Sequence, residues 1–292
     1  MAQSLGQVIK MKMKTHKIIK ICIALLIVIC AVNGLIGCQI NGNIVGISDY
    51  YYEDSEKYSV GEAELTETVE NIKINWPVGS VTIMPHNSNA VSFSENSQMK
   101  LTEDKMLHYY LDNTTLHIKF VACGKWDLSK IHKDLTILIS EKLVLSNLKV
   151  FTLSANVKLT DIGVSENVTI NTLSGETEAK FLEPLNEFNV DTTSGSFKIV
   201  APSVSRFEAV AVSGDISLTA QKEPNYLNID TTSGSIDLTL PESASFTLNY
   251  DTTSGDLYSD LSYRRQFRNY IFGDGNGEYK IKTVSGNVKI TV

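Results

Sequence analysis

Three carboxylates, Asp191, Asp230 and Asp251, each stand four residues before the glycine of a Ser-Gly pair, with Asn171 at the matching place in an earlier copy. Like charges brought to the roughly 4.8 Å spacing of neighbouring strands repel unless something compensates. A calcium ion between Asp230 and Asp251 could do so. With a nearby Lys or Arg, a suitably spaced pair drawn from Asp191, Asp230 and Asp251 could instead cleave a glycoside. The plainer expectation is that each Asp closes its turn by hydrogen-bonding a nearby Thr, Ser or backbone N–H. Val210 interrupts the series. The serines of the Ser-Gly pairs look like nucleophiles only when read singly; recurring in every copy, they are corner residues first. His86, His108, His117 and His132 stand alone, and neither the hydrolase nucleophile elbow nor the phosphate-binding glycine loop with its lysine is present. Asp274-Gly-Asn-Gly-Glu278 is too short for an EF-hand and is expected to be a hairpin turn. No catalytic residue, metal site or cofactor follows from these residues.

The elements that must hold these groups come from one repeated phrase. Ser-Gly pairs at Ser174-Gly175, Ser194-Gly195, Ser213-Gly214, Ser233-Gly234, Ser254-Gly255 and Ser285-Gly286 follow Ser154-Ala155, with second positions 20, 20, 19, 20, 21 and 31 residues apart. A fixed period near twenty is the signature of a repeat architecture. Seven residues before each second position stand Leu148, Val168, Phe188, Phe207, Leu227, Leu248 and Tyr279, and five before stand Val150, Ile170, Val190, Ala209, Ile229, Tyr250 and Ile281. Thr recurs three before, with Ala211 the exception, and Val157, Thr177, Phe197, Ile216, Ile236, Leu257 and Val288 stand two after. This period-two alternation predicts two short half-buried strands per repeat, and its phase flips at the Ser-Gly, as a corner requires. One repeat cannot bury its apolar face alone but a stack can. The expected fold is all-β, a β-helix-like solenoid of roughly 20-residue rungs. A string of antiparallel hairpins would give the same parity.

The N-terminus predicts export. Residues 1–38 contain no acidic residue, carry Lys10, Lys12, Lys14, Lys17 and Lys20, and continue into an apolar run from Ile21 to Val32. This is the layout of a signal peptide. It ends in Gly34-Leu35-Ile36-Gly37-Cys38, which resembles the bacterial lipobox, so Cys38 is the expected lipidation site. The alternative is an uncleaved anchor, for which Ile21 to Gly37 is at the short end. Both place the remainder outside the cytoplasmic membrane. Met11 or Met13 would give a leader of more usual length. Beyond Cys38 a single thiol, Cys123, remains, so no disulfide framework is possible. Net charge is 26 − 33 = −7, and 21 − 33 = −12 once the five leader lysines are removed. An acidic body of this kind has no basic footprint for nucleic acid.

Residues 39–60, with Gly42, Gly46, Tyr50 to Tyr52 and the acids Glu53, Asp54 and Glu56, are expected to be a tether. Residues 61–147 are expected to form a looser β region and cap continuous with the regular stack, in which Ile72, Ile74, Trp76, Val81 and Ile83 around Gly79 fit the repeat template. Residues 148–292 form the regular stack. The longest interval, between Gly255 and Gly286, holds Arg264, Arg265 and Arg268, and an over-long rung is expected to put a loop outside the stack, where binding tends to sit.

Ile72-Lys-Ile-Asn-Trp-Pro-Val-Gly-Ser-Val-Thr-Ile83, Leu135-Thr-Ile-Leu-Ile139 and the Thr-x-Ser-Gly repeats together resemble the bacterial putative-adhesin domains of the cell envelope, whose biochemical function is undefined. The resemblance covers about residues 65–292 and implies a β-solenoid with no catalytic motif to carry over. The expected role is an interaction module at the extracytoplasmic face of a bacterial membrane, held by lipid or an N-terminal helix, with a cell-wall glycan or envelope protein as partner. Two other roles are a modulator of envelope-stress signalling and a polysaccharide-cleaving enzyme.

Overall fold

The computed structural model describes residues 38–41 and 48–292, so the export signal expected over 1–37 lies outside the described residues. The chain is a β-solenoid of two parallel sheets. Each rung supplies one strand before its corner to a leading sheet and one after it to a trailing sheet. In the leading sheet nine strands run parallel, in the spatial order Thr115–Lys119, Asn71–Asn75, Val144–Thr152, the second half of Asn156–Thr172, Leu185–Thr192, the second half of Phe197–Ala211, Tyr226–Thr231, Gly277–Thr283 and Phe246–Thr252. The trailing sheet matches it with Asp134–Ser140, Ser80–His86, the first half of Asn156–Thr172, Thr177–Phe181, the first half of Phe197–Ala211, Ile216–Lys222, Ile236–Thr239, Val288–Thr291 and Leu257–Ser259. The parallel pairing settles the architecture against antiparallel hairpins.

Alternation explains the core. Leu148, Val168, Phe188, Phe207, Leu227, Tyr279 and Leu248 are all buried and belong to one apolar cluster running from Tyr50 to Ile290. Phe188 and Phe207 stack at 5.9 Å. The recurrent threonines serve the corner: Thr172 Oγ1 donates to the Ser174 carbonyl at 2.7 Å, and Thr192 Oγ1 accepts from Gly195 N at 2.8 Å. The serine hydroxyls reach the neighbouring rung, Ser174 to the Leu153 carbonyl and Ser254 to the Val284 carbonyl, at 3.3 and 3.4 Å. They are therefore corner residues.

Three sequence expectations are corrected. First, 61–147 is more regular than a loose β region. Ile72 and Ile74 lie in register with Leu148 and Val150, and Leu116 and Ile118 stack beyond them, so these residues build two full rungs of the same stack. Second, the tether over 39–60 is largely structured. Ser48–Tyr52 pairs with Cys38–Asn41 and Gly124–Trp126 in a small antiparallel sheet, Tyr50 and Tyr52 are buried, and Phe120 N donates to the Tyr50 hydroxyl at 3.1 Å. The period-two spacing of Tyr50 and Tyr52 outweighs the acidic residues that follow. Third, rungs do not stack in chain order at the far end. Gly277–Thr283 lies between Tyr226–Thr231 and Phe246–Thr252, so the segment 274–278 is a crossover and not a hairpin turn. Ser245 Oγ accepts from the backbone N–H of Asp274 and Asn276 and holds this crossover.

Candidate ligand cleft at the distal end of the stack

The rung order dissolves the carboxylate ladder. Lys282 stands opposite both Asp230 and Asp251, so no two of the three carboxylates occupy neighbouring strands, and a calcium ion bridging Asp230 and Asp251 has no place. Asp191 lies between Asn171 and Val210. No paired carboxylates of the glycosidase kind arise from these positions. Among the described residues neither Asp191 nor Asp251 makes a side-chain hydrogen bond, so the turn-capping expectation fails for both. Capping falls instead to residues just after the second corner position, Ala155 or Gly214: Asn156 Oδ1 accepts from Glu176 N at 2.9 Å, and Asp215 Oδ1 from Ser235 N at 2.7 Å.

Asp191 is pushed up to about 6, first by burial and then by the neighbouring Glu208 carboxylate. A carboxyl whose folded pKa is raised contributes stability that is complete below the unfolded value near 4 and is lost as pH rises through about 6. Asp191→Asn is therefore expected to leave stability near pH 4 almost unchanged and to raise it at pH 7 by on the order of 2 kcal/mol. Urea unfolding midpoints at the two pH values check this, and an equal effect at both would refute it.

The two ends of the stack are closed differently. At the N-terminal end antiparallel strands cover both sheets, His108–Asp112 on the leading and Val91–Asn96 on the trailing. At the far end only the leading sheet is extended, by a hairpin of Asn269–Phe272 and Tyr263–Gln266, while the trailing sheet stops at Leu257–Ser259. The long interval thus extends a sheet where the sequence suggested a free loop. Phe272 fixes the hairpin, stacking on Phe246 with centroids 4.4 Å apart and fully buried. The hairpin pairs only with Phe246 to Asn249, leaving the edge from Tyr250 to Thr252 and the corner up to Leu257 uncovered.

That gap is a cleft of about 640 Å³. Its lining is polar and aromatic: Tyr250, Tyr263 and Tyr270 are the aromatic surfaces, Arg265 and Arg268 the cations, and Asn249, Asp251 and Asp256 the acceptors. Tyr263 meets Tyr270 edge-on at 5.2 Å, and the Arg265 guanidinium lies 5.4 Å from the Tyr270 ring centre. Tyr250 is anchored by its hydroxyl, which donates to the Gly286 carbonyl at 3.2 Å. At the hairpin tip Phe267 is 92% exposed and holds φ at +55°, a conformation uncommon for a bulky residue. The arginines are visible in the sequence as part of an insertion, but Tyr250 reads there as a core position of the repeat, and nothing marks Tyr263 and Tyr270. The available signal was compositional: three of the chain's four arginines fall within five positions, interleaved with Tyr and Phe.

An elongated parallel β-stack, closed on one end and notched at the other, with no helix among the described residues long and apolar enough to cross a membrane, defines a repeat-built β module. The chain belongs to the Toastrack DUF4097 family, which it matches over residues 127–291. Solved structures are similar to the chain at low identity. A "putative cell adhesion protein" from Clostridium sporogenes is 15% identical, with 80% of this chain and 99% of that one covered at a TM-score of 0.37. A "putative adhesin" from Bacteroides fragilis is 11% identical, with 80% and 97% covered at 0.39. A "putative lipid binding protein" from Parabacteroides distasonis is 10% identical, with 81% and 97% covered at 0.35. No curated protein matches the chain in sequence.

Proposed function

We propose that this chain is an exported, membrane-anchored, non-enzymatic adhesin-like module whose stack holds a binding cleft away from its own membrane. One observation supports the reading: the strand that begins at Cys38 and the cleft lie at opposite ends of the stack. Cys38 opens a strand that pairs with Ser48–Tyr52 beside the first rungs, and the cleft lies beyond the last rung. Eight strand-to-strand steps separate the outermost parallel strands, about 40 Å at the usual spacing. The acidic body gives no attraction to an anionic membrane, so attachment falls to the lipid on Cys38.

The test compares cells producing the full chain, cells producing Cys38→Ser, and cells lacking the chain, for adhesion to wall fragments and to glycan-coated surfaces. The wild-type chain is expected to sediment with membranes and to raise adhesion, whereas Cys38→Ser is shed and adhesion returns to background. Unchanged adhesion accompanied by an altered transcriptional response to wall stress would overturn the reading in favour of a modulatory role.

A further inference from the structure

Resting on that reading, we infer that the distal cleft is a binding site for an acidic saccharide, with Arg265 and Arg268 gripping its oxyanion and the tyrosines its ring face. Arginine is scarce in this chain and its placement is uneven. Arg206, the one arginine outside the hairpin, is paired with Glu187 and Glu208 and packs over Tyr226. Arg264, Arg265 and Arg268 make no ion pair or hydrogen bond with any described residue, although the body around them is acidic, and Arg265 and Arg268 line the cleft. A planar guanidinium presents parallel donors that match a carboxylate or phosphate, and the pair stands ready to do so.

The remaining lining narrows the ligand class. Tyr263 and Tyr270, set edge to face, offer ring surfaces to the C–H face of a sugar, while Asn249, Asp251 and Asp256 can accept from its hydroxyls. A flat anionic bilayer fits less well, because the exposed carboxylates Asp251 and Asp256 line the same cleft and would repel it. A peptide adding a strand fits poorly too, since the uncovered edge from Tyr250 to Thr252 is three residues long, against the five or six usual for a strand. A solenoid also needs a polar cap, but a cap that served only to cover the core would not leave a notch of this size beside unpaired cations.

The test is titration calorimetry on the full chain in detergent, with four probes. Tetragalacturonate and glucose 6-phosphate supply the oxyanion as carboxylate and as phosphate, maltotetraose is the neutral control, and phosphatidylglycerol vesicles are the membrane arm. Binding is expected for one or both acidic sugars, weakening as salt is raised. It should fall about tenfold or more in Arg265→Gln/Arg268→Gln and stay unchanged in Arg206→Gln. The response to the two acidic sugars identifies the oxyanion. Equal binding of maltotetraose, or binding indifferent to the double substitution, would overturn the inference. So would binding of vesicles alone, or of nothing. Should cells carrying Arg265→Gln/Arg268→Gln still adhere as wild type, this inference falls while the adhesive reading stands, with its surface elsewhere on the stack.

Discussion

Gly214→Val is expected to unfold the middle of the stack, lowering stability by more than about 4 kcal/mol, a loss reserved for a few mechanisms of which a backbone clash is one. Gly214 has φ of +123°, and a Cβ there would sit 2.2 Å from the Gly195 carbonyl oxygen. The obstacle is backbone of the rung below, itself held by the strand ladder, so no rotamer change relieves it. The same approach recurs up the corner, where a Cβ on Gly195, Gly234 or Gly286 would meet the neighbouring glycine's carbonyl at 2.2–2.3 Å. Rungs contact only their neighbours, so one forced-apart corner uncouples the rungs on either side. Gly61→Ala is the control: its φ is +91° but nothing lies within 4 Å of the new Cβ, so only conformational strain of about 1–3 kcal/mol is expected. Thermal unfolding of both variants decides the matter, and a Gly214→Val protein as stable as Gly61→Ala would refute the close-packed corner.

The second large effect belongs to Lys133. Its ammonium is fully buried, 2.6 Å from Glu95 Oε2 and 2.6 Å from the Lys105 carbonyl, over the faces of Trp76 and Phe120 at 4.9 and 4.6 Å. Burial lowers its pKa to about 8 against the opposing pull of Glu95. Lys133→Met would strand a buried carboxylate, and breaking such a pair from one side costs about 3–5 kcal/mol. Glu95 Oε1 also accepts from Leu107 N at 2.8 Å, so Lys133→Met/Glu95→Gln keeps that bond while removing the orphaned charge. The double variant is expected to recover much of the loss in urea unfolding. A double variant no better than the single would show that packing against Trp76, and not charge, sets the cost.

Much of the fold was legible because alternation and a corner glycine dictate which residues face inward, and Ile72 to Ile83 carried that template even without a Ser-Gly pair. The order of rungs was not legible from the apolar ladder. Leu227, Tyr279 and Leu248 are interchangeable there, and any order buries them equally. The charged ladder breaks the tie: Lys282 is its one basic member, and setting it between Asp230 and Asp251 gives two opposite-charge contacts where chain order would give one like and one opposite. Lys133 was illegible for another reason. Nothing about a lysine beside Asp134 reveals that the Trp76-Pro77-Val78-Gly79 corner closes over it. Of the cleft, the arginines were visible as an insertion, but its shape depends on the hairpin stopping at Asn249, a matter of register that composition does not encode.

The interleaved final rung also sets a schedule for synthesis. When Phe246–Thr252 leaves the ribosome, its native neighbour Gly277–Thr283 is some thirty residues behind, roughly 2–6 s at ordinary elongation rates. Through that interval Tyr226–Thr231 and Phe246–Thr252 both present open edges of matching pattern, and a premature join would bring Asp230 beside Asp251. Their mutual repulsion disfavours that join, and Lys282 between them removes it.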